Sequence, residues 1–438
     1  MSFSLVNSRN ISSLVLRNNS FSALIDLNCS AMVNLKLLDL VDNKFTGSIP
    51  NNLPACPLLK TIDLGGNNLT GQIPETFKNF NSLCYLSLSM CNLNNLSGSL
   101  QILHTCPNLT TLVLSRSFDN EEIFHLFPNL SYFAAHSNNL DGRMPFSLVN
   151  SRSISSLVLR NNSFSGFIDL NCSAMVNLKL LDLVDYKFTG SILNNLPACP
   201  LLKTVDLGGN NLTGQIPETF KNFNSLCYLS LSMCNLNNLS GSLQILHTCP
   251  NLTTLVLSRS FDSEEMSSDA KLQFKKLKTL VIPSCKLTGR IPVWLNGLTK
   301  LRILDLSWNE LTGSIPLFLG SLQSLVYLDL SNNYLSGEIP KSLTGLPDLQ
   351  FHETFVLFSV EMEIAGDEDC RRRRSLEKKI GGDVEEWCGK ETELKWILSF
   401  SDRRERPTLD GEGEDRVGRD GVRSIAGAGR VGDDPHIV

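Results

Sequence analysis

Residues 301–340 read LRILDLSWNELTGSIPLFLGSLQSLVYLDLSNNYLSGEIP, which is two successive copies of the pattern LxxLxLxxNxLxGxIP. On a short strand, alternate side chains point to opposite faces, so Leu304 and Leu306 point into a core and Asp305 points away from it. Asn309 follows the strand, where its amide can bond backbone groups of the adjoining turn that would otherwise be buried unpaired. One unit cannot bury its own apolar face, so the pattern predicts that units stack and lay their strands side by side in a parallel sheet.

The same strand core recurs with a period of about two dozen residues, which is typical of a leucine-rich repeat. Fourteen such cores align, from LVLRNN at 14–19 to YLDLSNN at 327–333. We predict a leucine-rich repeat solenoid over residues 1–350, a curved right-handed superhelix with a parallel β-sheet on its concave face and 3-10 or loop segments on its convex side. Residues 351–438 lose the period and mix charge clusters with glycines, so we predict a disordered tail that arose by frameshift or read-through.

Residues 3–122 and 146–265 are almost the same sequence, offset by 143 positions. Ordinary solenoid repeats diverge much further, so this identity indicates a segmental duplication or an error in assembling the gene. Because the offset is close to six repeat lengths, the second copy should continue the solenoid in register. The differing pairs are Asn10/Ser153, Ala23/Gly166, Leu24/Phe167, Asn43/Tyr186, Pro50/Leu193, Ile62/Val205 and Asn120/Ser263. Of these, Tyr186 replaces the buried amide of Asn43 with a phenol that cannot make the same hydrogen bonds.

The composition limits the classes of protein to which the chain can belong. A net charge of −5 gives no reason to expect a nucleic-acid partner, and no apolar run approaches the ~20 residues that span a bilayer. The chain opens within a repeat, without a basic-then-apolar leader. N-x-S/T sequons are nevertheless dense, which favours a secretory origin. They begin at Asn10, Asn18, Asn28, Asn68, Asn95, Asn108, Asn129, Asn161, Asn171, Asn211, Asn238 and Asn251.

The positions of the cysteines indicate buried side chains of the core rather than metal ligands. There are thirteen cysteines, and most lie inside repeats. Cys91, Cys234 and Cys285 occupy the position of Asn309, where we interpret them as small buried side chains. No pair has zinc-finger spacing.

No catalytic or metal-binding constellation is found in the sequence. The six histidines are scattered, and none has a Cys, Asp or Glu partner at ligand spacing, so we predict no cofactor and no enzyme activity. Residues 427–432 match GxGxxG but lack a preceding strand and a downstream acid. The basic run Arg371–Arg374 lies among acidic residues, which favours solvated disorder over a nucleic-acid patch.

The side chains between the core leucines form a grid on the exposed face of the predicted sheet. Acids, hydroxyls and one arginine recur there, a composition that suits the backbone of an extended peptide as well as it suits plain solvation. In the second copy and the repeats after it, these residues are Arg160, Asp182, Asp206, Ser230, Ser232, Ser258, Ser284, Asp305 and Asp329.

Several stretches are more specific than the general repeat pattern. LRNNSFSGFIDLNCSAM, GQIPETFKNFNSLCYLSLS, SLQILHTCPNLTTLVLS and YLDLSNNYLSGEIPKSLTGLPDL resemble the ectodomain of phytosulfokine receptors, which are plant receptor kinases for a short tyrosine-sulfated peptide. The resemblance covers about residues 1–350. AAHSNNLDGRMP at 134–145 resembles the family repeat just before the LRNNS unit, so the second copy follows the family order and the first copy is the insertion.

The resemblance implies that a sulfated peptide hormone binds the inner surface together with a short non-repeat island. By position, the implied peptide contacts are Arg160, Asp206, Ser230, Ser232, Ser258, Ser284 and Asp305. Asp206 and Ser284 stand where the family commonly has Asn, and Ser258 stands where it has Thr. A charge on Asp206 would weaken attraction to a sulfate group. The chain diverges at the repeat after which the island should follow.

The resemblance also implies a plasma-membrane receptor with extracellular repeats and a second leucine-rich repeat kinase as co-receptor. The family's membrane helix and kinase domain are not found in this sequence, so we expect a peptide-binding ectodomain fragment that is not itself an enzyme. Without a signal peptide or membrane helix in the sequence, its location stays open. The alternatives are a soluble leucine-rich repeat interaction, inhibitor or decoy protein, and a non-functional gene-model product.

Overall fold

A fourteen-stranded parallel sheet forms one side of the protein in a computed structural model that describes residues 8–118, 129–185 and 187–347. Each strand of this sheet pairs with the next along the chain, so the predicted leucine-rich repeat solenoid is confirmed. The predicted tail at 351–438 and Tyr186 lie outside the described residues. The strands are β1 Ser13–Val15, β2 Leu37–Asp39, β3 Thr61–Asp63, β4 Tyr85–Ser87, β5 Thr111–Val113, β6 Tyr132–Ala134, β7 Ser156–Val158, β8 Leu180–Asp182, β9 Thr204–Asp206, β10 Tyr228–Ser230, β11 Thr254–Val256, β12 Thr279–Val281, β13 Ile303–Asp305 and β14 Tyr327–Asp329.

The chain returns from each strand to the next through short elements on the far side of the core. The 3-10 segments are Leu53–Ala55, Glu75–Asn79, Leu196–Ala198, Glu218–Asn222, Val293–Gly297, Leu317–Ser321 and Lys341–Gly345. Small parallel sheets are built from Ser22–Leu24, Lys44–Ser48, Asn68–Gly71 and Asn92–Leu93, from Ser165–Gly166, Lys187–Ser191, Asn211–Gly214 and Asn235–Leu236, and from Thr312–Gly313 and Tyr334–Leu335. The α-helices are α1 Leu96–Leu103, α2 Phe146–Val149 and α3 Leu239–Leu246.

The two longer α-helices differ from the 3-10 and loop segments that the sequence predicted. In α1 the side chain of Asn95 caps the helix by accepting a hydrogen bond from the backbone N–H of Gly98 at 3.0 Å. Leu96, Leu100 and Leu103 then fall on one face and are fully buried. The SGSLQIL unit therefore forms a helix because it combines a cap with apolar residues at helical spacing.

A continuous core of leucine and phenylalanine lies between the sheet and the return elements. Leu304 and Leu306 have no exposed surface, as their alternation with Asp305 predicted. Phe77 and Phe80 pack edge to face with ring centroids 5.1 Å apart inside the core. Because every repeat adds leucines to the same core, burial links all the described repeats into one body.

Buried amides after the strands link each repeat to the one before it. Asn309 donates from Nδ2 to the carbonyls of Ile282 at 2.8 Å and Leu306 at 2.9 Å, which belong to successive repeats. Its Oδ1 accepts a hydrogen bond from the backbone N–H of Leu287 at 3.0 Å. The amide thus satisfies backbone groups that the stacking of repeats removes from water, as the sequence predicted.

Cysteine takes the place of the amide in three repeats. Cys91, Cys234 and Cys285 are buried, as predicted, and Cys285 Sγ lies 3.3 Å from the carbonyl of Leu257. Burial raises the pKa of the Cys91 and Cys234 thiols to about 12, so they remain protonated donors at neutral pH. A thiol reproduces the amide's donation to the previous repeat, and its sulfur accepts only weakly from backbone N–H groups such as that of Leu69 beside Cys91. These repeats therefore have a weaker version of the same link.

Two disulfides were not predicted from the sequence. Cys29 pairs with Cys56, and Cys172 pairs with Cys199, each across 27 residues. The pairs are copies of one another within the duplicated blocks. The signal was the occurrence of a Cys in each of two neighbouring repeats, because residues at equivalent positions of stacked repeats come into contact.

Replacing Tyr186 with asparagine should raise the free energy of unfolding by about 1–3 kcal/mol, because an amide can make hydrogen bonds to backbone groups that a phenol cannot make. Asn43, at the equivalent position of the first copy, donates to the carbonyls of Leu16 at 2.8 Å and Leu40 at 3.1 Å. The measurement is a denaturant titration of both proteins. The matched control is Asn43→Tyr, which should lower stability by a similar amount. An unchanged or lower midpoint for Tyr186→Asn would contradict this assignment.

Ala23→Gly should stabilise the protein by about 1 kcal/mol, because Ala23 has a φ of 77° that strains a residue with a Cβ. The equivalent residue of the second copy is Gly166, whose φ is 85°. The reciprocal change, Gly166→Ala, should therefore destabilise by a comparable amount. Thermal melts of the two variants that shift in the same direction would refute the explanation.

Candidate functional site

Rows of side chains run across the strands on the exposed face of the main sheet. We call the third residue of each strand the middle row, the residue two positions later the end row, and the next residue the rim row. The strands pair in register, for example Asp206 with Ser230 and Val281 with Asp305, so residues of one row are neighbours. The rows therefore form one continuous surface across β1 to β14.

The structure brings six of the seven predicted contact residues onto this surface in two adjacent rows. Asp206, Ser230 and Asp305 lie in the middle row. Arg160, Ser232 and Ser258 lie in the end row. At a strand spacing of about 4.8 Å, the six steps from β7 to β13 cover roughly 29 Å, the length of about nine extended residues. Only a ligand of that length can contact both Arg160 and Asp305.

Ser284 lies apart from the other predicted residues. The sequence placed it between core leucines on the exposed face, but Pro283 holds the end-row position in this repeat and Ser284 belongs to the rim row. Its φ of 58° turns the chain out of the strand direction, as it does for Met233 and Trp308 in the same row. Ser284 therefore borders the surface at its edge.

Among the predicted contact residues, charges concentrate on β7 to β9. Arg160 Nη1 lies 3.5 Å from Asp182 Oδ2, and Asp182 is the register partner of Asp206 on the next strand. Burial raises the pKa of Asp182, and Arg160 partly offsets this effect. Burial and the neighbouring Asp182 together raise the pKa of Asp206 from 3.8 to about 7. The full negative charge on Asp206 that the sequence led us to expect is thus absent in mildly acidic solution.

Hydroxyl groups lie next to the pair of carboxyls formed by Asp182 and Asp206. The Tyr228 hydroxyl donates to Asp206 Oδ2 at 3.3 Å. Ser232 is 9% exposed, and its Oγ has no hydrogen-bond partner among the described residues. A buried hydroxyl without a partner costs free energy, and a ligand that bonds to it recovers that cost.

An apolar patch follows the polar part and was missed by the sequence reasoning, which considered only polar residues. Val256, Val281 and Ile303 form a buried cluster, and Tyr228 and Tyr327 pack against it. The available signal was valine at the middle-row position, where neighbouring repeats have Asp or Ser. The surface therefore offers hydrogen-bonding groups first and an apolar patch next, between Ser230 and Asp305.

No cluster of His, Cys, Asp and Glu within the described ranges is arranged to hold a metal ion. No helix in the same ranges has the length and apolar character needed to cross a membrane. What the surface offers is hydrogen bonding, charge and an apolar patch.

Comparisons with known proteins agree with this geometry. The Leucine Rich Repeat family matches residues 34–56, 58–80, 201–223, 300–322 and 324–346. An 89-residue stretch, 20% of this chain, is 53% identical to Phytosulfokine receptor 1 of Arabidopsis thaliana and covers 9% of that receptor. This confirms the resemblance predicted from the sequence over that stretch. The chain thus corresponds to a small part of the curated relative's length.

Solved structures extend the likeness to most of the repeats. The plant peptide hormone receptor RGFR1 in complex with RGF2 superposes with a TM-score of 0.63 and 29% identity, over 77% of this chain and 54% of that one. A TDR receptor superposes with a TM-score of 0.66 and 27% identity, over 79% of this chain and 60% of that one. The chain is similar to the ectodomains of plant leucine-rich repeat receptors.

Asp206→Asn should make stability less dependent on pH between about 4 and 8. A carboxyl whose pKa is raised to about 7 on folding binds its proton more tightly in the folded state, so stability is highest below pH 4 and falls as the pH rises towards 7. The variant has no proton to lose, so at pH 8 it should be more stable than the parent by about 2–4 kcal/mol.

The check is a series of urea titrations from pH 4 to pH 8. Asp63→Asn should behave in the same way, because burial also raises the pKa of Asp63 to about 7. The control is Asp169→Asn, which removes a carboxyl from an exposed position. An Asp206→Asn curve parallel to that of the parent protein would refute the account of this acid pair.

Proposed function

We propose that this chain binds an extended peptide bearing a sulfated tyrosine along the surface from Arg160 to Asp305, as the peptide-binding repeats of a plant receptor. The observation that carries the proposal is the order in which charged, hydroxyl and apolar side chains follow one another across the strands. A partly buried arginine and an acid pair come first, buried hydroxyls follow, and the apolar patch lies beyond them. The similarity to Phytosulfokine receptor 1 and the complex of RGFR1 with RGF2 support a peptide as the ligand class.

The hydroxyls and carboxyls suit a peptide backbone better than a compact ligand. An extended peptide presents N–H and C=O groups at regular intervals. Asp206 and Ser230 are register partners on neighbouring strands, and Ser232 follows Ser230 two residues later in the same repeat. Ser232 Oγ, which has no partner among the described residues, can both donate and accept. The apolar patch at Val256 and Val281 would take a side chain of the same peptide.

Arg160 supplies the attraction for the sulfate. Its guanidinium can form two parallel hydrogen bonds to an oxyanion, and Asp182 holds it in place on the surface. Asp206 opposes an anion only when it is ionised. Its raised pKa means that a sulfated ligand meets less repulsion below pH 7 than above it.

Two further observations favour an oxidising, secretory compartment for the repeats. The disulfides Cys29–Cys56 and Cys172–Cys199 belong to the kind that persists outside the cytosol. The sequon asparagines are all exposed except Asn251, which is half-exposed, so each is accessible to a glycosyl transferase. Both observations fit a receptor whose repeats face the outside of the cell.

A calorimetric titration of the chain at pH 5.5 should show tighter binding of a tyrosine-sulfated peptide than of the same peptide without sulfate. Arg160→Ala should weaken binding of the sulfated form by about 2 kcal/mol, because it removes a charge-assisted contact, and should hardly change binding of the other form. Raising the pH to 8 should weaken the sulfated form further as Asp206 ionises.

The matched control is Lys221→Ala, which removes a cation paired with Glu218 in a 3-10 segment away from the main sheet. It should leave both affinities unchanged. Equal affinity for the two peptides, or equal losses from Arg160→Ala and Lys221→Ala, would reject the proposed ligand.

A further inference from the structure

A second set of residues on the same sheet repeats the candidate peptide contacts six strands earlier. We call Arg160, Asp206, Ser230, Ser232, Ser258, Ser284 and Asp305 the C-terminal face. The residues at the same rows of the strands six positions earlier are the N-terminal face, which comprises Arg17, Asp63, Ser87, Ser89, Ser115, Ser137 and Val158. Six of the seven positions carry the same residue type in both faces.

The match extends beyond the duplicated block. Ser137 lies outside residues 3–122, yet it occupies the rim row of β6 with a φ of 56°, just as Ser284 occupies the rim row of β12 with a φ of 58°. The one mismatch is Val158, which stands on β7 where Asp305 stands on β13. The N-terminal face thus reproduces the C-terminal face in composition and register, apart from one carboxyl.

The charges of the two faces are arranged alike. Arg17 forms an ion pair with Asp39, as Arg160 does with Asp182. Asp39 is the register partner of Asp63, and burial and the charge of Asp39 raise the pKa of Asp63 to about 7. The side chain of Arg17 is 38% exposed, against 17% for Arg160, so it is the more accessible of the two guanidiniums.

Buried hydroxyls without a partner point to a ligand at the N-terminal face. Ser89 is 6% exposed and Ser115 is 2% exposed, and neither Oγ has a hydrogen-bond partner among the described residues. They alternate with the core residues Leu88 and Leu114, which have no exposed surface, so both hydroxyls lie on the exposed side of the sheet. An apolar patch also follows here, formed by Val113, Tyr132, Ala134, Val158 and Leu180.

We propose that the N-terminal face is a second binding site for the same class of sulfated, extended peptide, so that one chain takes two peptides. This inference rests on the proposed function of the C-terminal face. The polar contacts from β1 to β6 cover five strand spacings, or roughly 24 Å, which is enough for about seven extended residues. The N-terminal face ends at Val158 on β7 and the C-terminal face begins at Arg160 beside the same strand, so two extended peptides meet end to end at β7.

The test is an isothermal titration of the full chain with a synthetic peptide of about nine residues that carries one sulfated tyrosine. The parent protein should bind two peptides per chain. Ser89→Tyr places a phenol on the N-terminal face and Ser232→Tyr places one on the C-terminal face. Each variant should bind one peptide, and the double variant should bind none.

The outcomes separate the two proposals. One peptide per chain, retained in Ser89→Tyr and lost in Ser232→Tyr, overturns the second site and leaves the proposed function standing. One peptide that is lost only in Ser89→Tyr overturns both the two-site inference and the assignment to the C-terminal face. No binding of the sulfated peptide to the parent protein overturns the proposed function and this inference with it.

Smaller substitutions keep the test decisive if the tyrosine variants fail to fold, which circular dichroism melts would reveal. Ser89→Ala and Ser232→Ala remove hydroxyls without adding bulk, and each should weaken one of the two binding steps about fivefold and leave the other unchanged. Asp305→Val gives both faces the same composition, so the two dissociation constants should converge. If Ser89→Ala leaves both steps unchanged, the second site is rejected.

Discussion

The solenoid depends on the hydrogen bonds that one buried side chain, usually an asparagine, makes to the backbone just after each strand. Leucine supplies the apolar free energy, but stacking two repeats also removes backbone groups of the turn from water. Asn309 meets this demand by donating to carbonyls of two successive repeats and accepting from a backbone N–H of the earlier one. Burial of the leucines is therefore compatible with satisfied backbone groups, and the repeats stack without a large polar penalty.

Because this link is made only between neighbouring repeats, the fold tolerates insertion of whole repeats. A duplicated block whose offset is close to six repeat lengths meets its new neighbours through the same amides, carbonyls and leucines as before. The sheet accordingly runs from β1 to β14 in one order. Duplicating whole repeats therefore duplicates the exposed surface as well as the core, because the residues between the leucines keep their positions in the rows.

Features that depend on the repeat period of the leucines could be predicted from the sequence. Features that depend on the spatial neighbours of a single residue could not. Leucine spacing was enough for the strands, the core and the link at Asn309. It did not predict that Pro283 would take the end-row position and move Ser284 to the rim, because counting between leucines does not reveal the left-handed turn that follows the end row. Pairing of Cys29 with Cys56 was missed because these cysteines were considered within their own repeats and not across them.

The same limit applies to charge. Sequence assigns Asp206 a full negative charge, and the expectation of repulsion from a sulfate followed from it. In the structure the carboxyl is nearly enclosed and lies beside Asp182, so desolvation and a like charge both oppose its ionisation. A surface that combines arginine with partly neutral acids can present hydrogen-bond donors and acceptors to a backbone without repelling an anionic side chain. Burial, more than residue identity, thus sets the electrostatic character of the surface.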